Sequence, residues 1–323
     1  MPLPRSGVEL GERIAERWRW FAYRARFHPW TTNELPRLLG TIRDYVQLTR
    51  LDRPIGIWLL LWPTLWALWI AGRGKPDARL FIIFVAGTIL MRSAGCAVND
   101  YADRSFDPHV ERTKGRPLAA GRISPVEALL LFAALALTAL GFALQLNGLT
   151  LLYAVFGAAL AVSYPFIKRF LSVPQLYLGV TFGWGIPMAF AAQLERVPRV
   201  AWLLLIANVL WVTVYDTMYA MVDRDDDVKI GVRSTAILFG DSDRHIIATL
   251  QAMTLFSLYL IGGMLRMGPW YYAGLMAGAV FFVYQLWLIR ARDAQGCLRA
   301  FLNNHYFGLS VFLGLALNYQ FGR

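Results

Sequence analysis

Residues 79–107 read RLFIIFVAGTILMRSAGCAVNDYADRSFD, and this stretch decides the fold class. Its first part, residues 79–98, is almost wholly apolar. About 20 apolar residues cross the hydrocarbon core of a bilayer as a helix. Three carboxylates follow at once, those of Asp100, Asp103 and Asp107. The stretch therefore predicts a membrane-spanning helix that ends in an acidic cluster.

Apolar runs of comparable length recur along the whole chain. The nine candidate spans are about 54–72, 79–98, 125–144, 149–166, 174–193, 200–222, 245–265, 269–290 and 303–321. None of them shows the strict alternation of apolar and polar residues that is typical of a membrane β-barrel. The sequence therefore predicts an all-α integral membrane protein with about nine transmembrane helices.

The composition excludes a soluble or a disordered chain. Of the 323 residues, 57% are hydrophobic and only 16% are charged, whereas soluble domains average about 25% charged residues. The formal net charge is +11, and such an excess indicates either nucleic-acid binding or contact with anionic lipid. Because the cations cluster at the ends of membrane helices, we expect membrane lipid and no nucleic acid as a partner.

The distribution of Lys and Arg predicts the orientation in the membrane. With a cytoplasmic N-terminus, 24 basic residues lie on the cytoplasmic side and 7 on the other, while Arg92 falls inside a helix. This bias agrees with the positive-inside rule and places both acid-rich loops in the cytoplasm. Residues 1–45 form a separate basic extension, and residues 46–323 form the transmembrane domain.

The extension mixes aromatic residues with Arg at residues 18–27, a pattern typical of an amphipathic helix on an anionic leaflet. A mitochondrial transit peptide and a disordered basic tail are the alternatives. The extension therefore leaves two compartments open, the bacterial inner membrane and, as the alternative, the mitochondrial inner membrane.

The acids are scarce and clustered at two helix ends. Nine of the 21 lie in two twelve-residue windows: Asp100, Asp103, Asp107 and Glu111, then Asp216, Asp223, Asp225, Asp226 and Asp227. If the second apolar helix continues through the first window, Asn99, Asp103 and Asp107 share one face. Asp216, Asp223 and Asp227 share a face in the same way.

Carboxylate and amide oxygens at the mouth of a helix bundle predict a site for a hard cation. Mg²⁺ fits best, because proteins hold it with one or two carboxylates plus substrate phosphates and waters. Two acidic helix ends on one membrane face predict a pair of Mg²⁺ ions that clamp a diphosphate. The candidate metal ligands are Asn99, Asp100, Asp103, Asp107, Asp223 and Asp227.

Basic residues follow both acidic runs and complete the pattern of a diphosphate site. They are Lys114 and Arg116 after the first run, Lys229 and Arg233 after the second, and Lys168 and Arg169 after Tyr164.

Arg92 lies within an apolar helix, seven positions before Asn99, and therefore shares its face. It predicts a clamp for the carboxylate of an acidic substrate; a buried structural ion pair is the alternative.

These residues resemble the motifs of the UbiA family of intramembrane prenyltransferases. Asn99-Asp100-x-x-Asp103-x-x-x-Asp107 is similar to the first aspartate motif of that family. Asp223-x-x-x-Asp227, preceded by Tyr215-Asp216-Thr217-x-Tyr219-Ala220, is similar to the second. Residues 51–56, 61–67, 115–118, 164–169 and 229–235 look like the 4-hydroxybenzoate branch, and the resemblance covers about residues 45–321.

The resemblance implies a central cavity within nine helices, with both aspartate motifs at its cytoplasmic mouth. It implies Mg²⁺-dependent transfer of a polyprenyl group from polyprenyl diphosphate to 4-hydroxybenzoate, in ubiquinone biosynthesis. By the same analogy, Asp103, Asp107, Asp223 and Asp227 carry the catalysis. The implied substrate-binding residues are Arg50, Arg92, Asn99, Lys114, Arg116, Tyr164, Lys168, Arg169, Asp216, Tyr219, Lys229 and Arg233.

Three other functions compete with this interpretation. A sibling enzyme would prenylate a different acceptor, such as a naphthoate, a homogentisate or haem. A CDP-alcohol phosphotransferase also uses membrane aspartates, but neither acidic run fits its signature. A divalent-cation channel or transporter would place acidic rings deep in the membrane, whereas these acids lie at helix ends on one side.

Overall fold

The computed structural model describes residues 35–105, 107–109, 113–167, 170–171, 173–224, 227–228 and 234–322. Within those ranges all regular secondary structure is helical, which confirms the predicted all-α class. The helices are α1 Leu35–Leu48, α2 Ile55–Ala71, α3 Ala78–Ala102, α4 Pro125–Ala143, α5 Gly148–Ile167, α6 Pro174–Gly183, α7 Gly185–Leu194, α8 Arg199–Val222, α9 Thr235–Phe239, α10 Asp243–Met264, α11 Pro269–Leu288 and α12 Ala294–Phe321. Short 3₁₀ turns cover Asp107–His109, Gly240–Ser242 and Ile289–Ala291.

Six helical segments in the described ranges are long and apolar enough to cross a membrane. They are Ala78–Ala102, Pro125–Ala143, Arg199–Val222, Thr235–Met264, Pro269–Ala291 and Ala294–Phe321. Ile55–Ala71 and Gly148–Tyr164 are shorter apolar helices. The chain is therefore a multi-span membrane protein, and the number nine stays a prediction.

The predicted span at 174–193 is divided into two ten-residue helices, α6 and α7, which meet at Trp184. Pro187 lies just inside α7 and has no N–H group to donate to the carbonyl of Gly183. The hydrogen-bond ladder is therefore interrupted where the two helices join.

Two hydrogen bonds between helix termini define the two ends of the bundle. At one end of the bundle, the N–H of Asp77 donates to Gln193 Oε1 at 3.2 Å and joins the start of α3 to the end of α7. At the other end, the N–H of Thr235 donates to Gln175 Oε1 at 3.2 Å and joins α9 to the start of α6. The C-terminal ends of α3 and α8 both lie at this second end, which we call the acidic end.

Stacked aromatic rings fill the centre of the bundle. The rings of Trp66 in α2 and Trp211 in α8 stack at 5.2 Å, and Trp211 contacts Phe307 of α12 at 5.1 Å. The indole N–H of Trp66 donates to the carbonyl of Gly308 at 3.1 Å, and that of Trp211 donates to Asn304 Oδ1 at 2.8 Å. The buried rings and the two indole hydrogen bonds thus hold the three helices together.

Helix α1 belongs to the packed domain. Leu48 lies in a buried cluster with Ala97 of α3 and with Leu118, Ile123 and Ala128 of the following segment. This helix runs across the predicted boundary at residue 45, and residues 1–34 lie outside the described part of the chain. The division into an extension and a transmembrane domain stays a prediction.

Gly308 is the closest backbone approach in the aromatic core, and it yields a test of the packing. A Cβ atom there would lie 2.7 Å from Trp62 Cγ and 2.9 Å from Trp211 Cη2. Gly308→Val should therefore lower the stability by about 1–3 kcal/mol through overpacking, measured as thermal unfolding in detergent. Gly141→Val is the matched control, because a Cβ at that exposed position in α4 meets nothing within 4 Å. Equal melting temperatures for the two variants would contradict this account of the core.

Candidate active site

The first acidic run straddles the end of α3. The helix ends at Ala102, Asp103 occupies the C-cap, and Asp107 begins a 3₁₀ turn. The condition under which Asn99, Asp103 and Asp107 would share one face, a helix continuous through Asp107, is therefore not met. The N–H of Asp107 still donates to the carbonyl of Asp103 at 2.9 Å, so the chain stays coiled and keeps Asp107 near the helix end.

Two arginines form ion pairs with two of the predicted metal ligands, Asp100 and Asp107. Arg50 Nη2 donates to both oxygens of Asp100, at 2.8 and 3.0 Å. Arg116 Nη1 donates to Asp100 Oδ1 at 3.0 Å and to Asp107 Oδ2 at 2.8 Å. Asp100 is only 2% exposed, and a buried carboxylate needs such partners. In this arrangement Asp100 acts as an anchor for the two cations.

Asn99 and Asp103 form a second polar pair at the same helix end. Asn99 Nδ2 donates to Asp103 Oδ2 at 3.1 Å, which leaves the amide oxygen of Asn99 beside a carboxylate. Both are hard oxygen donors of the type that Mg²⁺ prefers.

The second acidic run follows the same plan at the end of α8. The helix ends at Val222, and the N–H of Asp227 donates to the carbonyl of Asp223 at 2.8 Å. Asp216 lies two turns earlier on the helix. Tyr219, between them, packs its ring on Phe301 of α12 at 4.7 Å.

The two runs face a shared region inside the bundle. The Tyr164 hydroxyl in α5 lies within electrostatic range of Asp216, Arg92 and Asp103. The Tyr215 hydroxyl in α8 is similarly close to Asp216, Arg92 and Tyr164. Helices α3, α5 and α8 therefore bring together four of the sequence-predicted site residues: Arg92, Asp103, Tyr164 and Asp216.

Arg92 has an unusual environment at the inner end of this region. Its buried Nε atom has no hydrogen-bond partner among the described residues, and its guanidinium carbon lies 5.9 Å from the Phe182 ring centroid. Gly56 of α2 makes room for it, because a Cβ there would lie 2.6 Å from Arg92 Nη2. The Tyr215 hydroxyl is also buried without a partner. Unpaired buried polar groups are costly, so two of them in one region indicate a site for a polar ligand.

The ion-pair alternative for Arg92 finds no support in the described part of the chain, since no carboxylate there pairs with its guanidinium.

Only some of the other predicted cations fall within the described residues. Lys114 is exposed in the loop after α3. Lys168, Arg169, Lys229 and Arg233 lie outside the described residues, as do Asp225 and Asp226.

The donor set fits a divalent ion that is completed by other ligands. Within the described ranges no three acidic, His or Cys side chains converge closely enough to hold a metal by themselves. The amide and carboxylate oxygens at the two helix ends are nevertheless of the right chemical type. Mg²⁺ ordinarily takes most of its remaining ligands from waters and substrate phosphates.

An anchor for the second acidic run was missed by the sequence analysis. Asp243, fully buried at the start of α10, accepts hydrogen bonds from Arg224 Nη2 at 2.5 Å and from Arg292 Nε and Nη2 at 2.9–3.1 Å. These hydrogen bonds raise the pKa of Arg292 further above its usual value, so it stays charged. Arg224 directly follows Asp223, and the anchor therefore holds the end of α8. No pattern along the chain distinguishes Asp243 from an ordinary helix-start acid.

Comparisons with known proteins match most of the chain. The model of the UbiA prenyltransferase family matches residues 60–312. A protein of Nitrosococcus oceani named 4-hydroxybenzoate octaprenyltransferase is 59% identical over 275 residues, covering 85% of this chain and 96% of that protein. One of the same name from Methylococcus capsulatus is 58% identical over 275 residues, with 85% and 94% covered.

Solved structures share the fold. The apo structure of a UbiA homolog from Aeropyrum pernix K1 has a TM-score of 0.71 at 25% identity, over 81% of this chain and 97% of that one. A UbiA homolog from Archaeoglobus fulgidus bound to GPP and Mg²⁺ has a TM-score of 0.62 at 16% identity, over 83% and 99% of the two chains.

The Asp243 anchor can be tested by removing its charge. Asp243→Asn should lower the free energy of unfolding by about 2 kcal/mol, because it leaves two partly buried guanidinium groups without a counter-ion. Asp44→Asn is the control: Asp44 pairs with the more exposed Arg122 at 2.8 Å, and such pairs contribute about 0–1 kcal/mol. The loss of stability is measured as thermal unfolding of both variants in detergent. A smaller loss for Asp243→Asn than for Asp44→Asn would refute the role of Asp243 as an anchor.

Proposed function

The chain belongs to the UbiA prenyltransferase family, and we propose that it prenylates 4-hydroxybenzoate. A polyprenyl group passes from an all-trans polyprenyl diphosphate to the ring carbon ortho to the hydroxyl, and diphosphate is released. This is a step of ubiquinone biosynthesis. The observation that carries the proposal is Arg92, a partly buried cation whose buried Nε has no hydrogen-bond partner among the described residues and which lies in the same region as Asp103 and Asp216 of the two acidic runs. The names of the relatives from Nitrosococcus oceani and Methylococcus capsulatus agree with it.

In this proposal Arg92 binds the carboxylate of the aromatic acid. It lies seven residues before Asn99 on α3, which is about 10 Å along the helix axis. The acid group is therefore held deep in the bundle while the ring lies toward the acidic end. The Tyr215 hydroxyl supplies a second hydrogen-bond donor beside Arg92, and the Phe182 ring covers one face of the guanidinium.

The diphosphate lies at the acidic end between the two aspartate runs. Asn99, Asp103, Asp107, Asp223 and Asp227 would hold Mg²⁺ there, and the ion when bound neutralises charge on the leaving diphosphate. Asp100, the sixth candidate ligand, lies beside them and holds Arg50 and Arg116 in place. The loop cations bind the phosphate oxygens: Lys114, Arg116, Lys168, Arg169, Lys229 and Arg233.

The reaction then follows from where these groups lie. The allylic C–O bond of the prenyl diphosphate lengthens as cations stabilise negative charge on the departing oxygens. The faces of Tyr164, Tyr219 and Phe182 stabilise the allylic cation by cation–π attraction. The electron-rich ring carbon attacks the cation and forms the new C–C bond. The proton on that carbon passes to an aspartate or to the diphosphate, and aromaticity is restored.

The isoprenoid tail leaves the cavity sideways into membrane lipid, so the bundle needs no closed pocket of matching length. We place the enzyme in the bacterial inner membrane with the acidic end in the cytoplasm, and the mitochondrial inner membrane is the alternative. In the proposed organisation, residues 1–45 are a basic extension that contacts the anionic leaflet and whose last residues enter α1 of the packed domain, and residues 46–323 form the prenyltransferase domain.

Purified protein in detergent provides the direct test. It is offered 4-hydroxybenzoate with prenyl diphosphates of several chain lengths, first with Mg²⁺ and then with EDTA. We expect a prenylated hydroxybenzoate that forms with Mg²⁺ and is lost with EDTA. Divalent-cation flux in liposomes without any prenylated product would instead support a transporter.

The metal assignment predicts the effect of one isosteric change. Asp103→Asn should reduce turnover by about 100-fold, as expected when one stabilising group at the reacting charge is lost, and should raise the Mg²⁺ concentration needed for half-activity. Asp241→Asn is the control, because Asp241 is an exposed acid at the same end of the bundle. An Asp103→Asn enzyme with full turnover at the usual Mg²⁺ concentration would overturn the assignment.

The role of Arg92 predicts a selective change in substrate affinity. Arg92→Ala should raise the KM for 4-hydroxybenzoate by about tenfold or more, since a charge-assisted hydrogen bond contributes about 1.5–3 kcal/mol. The KM for the prenyl diphosphate should change far less. Parallel measurements with 4-hydroxybenzamide give the control, because the variant should lose the preference for the acid over the amide. Equal rises in both KM values would count against the carboxylate clamp.

A further inference from the structure

A cavity of about 390 Å³ opens on the outer face of the bundle between α2, α11 and α12. It shares no residue with the candidate active site. Trp58 and Tyr306 line it and are 39% and 51% exposed, so it faces the surroundings of the bundle. Arg299 lies at one side, five residues after the start of α12, and therefore near the acidic end.

Buried amides orient one polar group of this cavity. Gln251 Nε2 donates to Gln285 Oε1 at 3.1 Å, and Gln285 Nε2 donates to Asn303 Oδ1 at 3.1 Å. Gln251 and Gln285 are both buried. The reverse orientation would leave an N–H group of Gln251 buried without an acceptor, which is rarer in proteins than an unsatisfied oxygen. Asn303, which lines the cavity, is therefore left with its Nδ2 donor.

An indole orients a second donor. The N–H of Trp62 donates to Nδ1 of His305 at 3.1 Å, so this nitrogen carries no proton. A neutral imidazole then carries its proton on Nε2. His305 lines the same cavity, and within the described residues nothing else hydrogen-bonds to its ring. Two neutral donors are thus set by buried partners before any ligand arrives.

The third donor is charged. The Arg299 guanidinium makes only one hydrogen bond to a described residue, a long one of 3.4 Å from Nε to the carbonyl of Gln295. Among the described residues, no acid lines the cavity. The site therefore offers N–H donors and a positive charge to a ligand and has no carboxylate to receive an ammonium group.

From this donor set we infer that the cavity binds the phosphate of an anionic phospholipid such as phosphatidylglycerol. The phosphate contacts Arg299 and Asn303, His305 donates to an ester oxygen of the lipid deeper in the leaflet, and an acyl chain lies along Trp58 and Tyr306. Arg299 and His305 lie about 7 and 16 Å along α12 from its start, which spans the interfacial depth of a leaflet. Zwitterionic lipids bind less well, because their ammonium group finds no carboxylate here.

The test compares two arginines at the same end of the bundle. Delipidated protein in nonionic detergent is titrated with dioleoylphosphatidylglycerol or with dioleoylphosphatidylcholine, and bound lipid is counted by native mass spectrometry. Arg299→Gln should weaken phosphatidylglycerol binding about fivefold, the contribution expected of one basic residue at an anionic surface. Arg290→Gln should bind like the wild type, because Arg290 lies outside the cavity with its guanidinium 4.0 Å above Trp287.

Asn303→Leu removes a donor without changing the charge, and it should also weaken phosphatidylglycerol binding. Prenyl transfer in phosphatidylcholine reports that each variant is folded, since none of these residues contacts the reacting groups. Equal losses for Arg290→Gln and Arg299→Gln would overturn the site, as would equal binding of the two lipids. Inorganic phosphate that competes fully with the lipid would overturn the assignment to a lipid headgroup.

Discussion

A carboxylate that leaves water must be paired, and the pairing of Asp100 organises the acidic end of this protein. Removing a charge from water costs several kcal/mol, and Asp100 is almost wholly buried. It is matched by Arg50 from the segment before α2 and by Arg116 from the loop after α3. Because Arg116 also holds Asp107, one buried charge positions three segments around the end of α3.

The second acidic run has an equivalent anchor of different origin. Asp243 pairs with Arg224 and Arg292 and ties the end of α8 to the starts of α10 and α12. At each helix end, one buried acid is committed to arginines, while Asp103 of the first run and Asp216 of the second lie next to the shared region. This division lets a site hold many carboxylates close together without the repulsion that free charges would produce.

The packing of the apolar core also shapes the candidate site. The Trp66 and Trp211 stack joins α2 to α8, and Gly56 in α2 leaves the space that the Arg92 side chain occupies. In a medium of low dielectric constant, an unpaired guanidinium attracts an anion more strongly than it would in water. Packing and function are thus linked, since the same helix that completes the core also creates the space for Arg92.

The sequence by itself determined the membrane class, most of the apolar helix segments and the two acidic runs, and it singled out Arg92 as a candidate. These follow from length, hydropathy and spacing, which are local properties of a chain that has to satisfy its backbone hydrogen bonds in lipid. Only the tertiary structure decided that Asp100 serves arginines, that Asp243 anchors the second run, and that Arg92 lies near Tyr164 and Tyr215. The two ion-pair anchors join residues up to 50 positions apart, and Arg92 lies still farther along the chain from Tyr164 and Tyr215. Which side chains meet across such separations depends on how the helices pack and where the loops return.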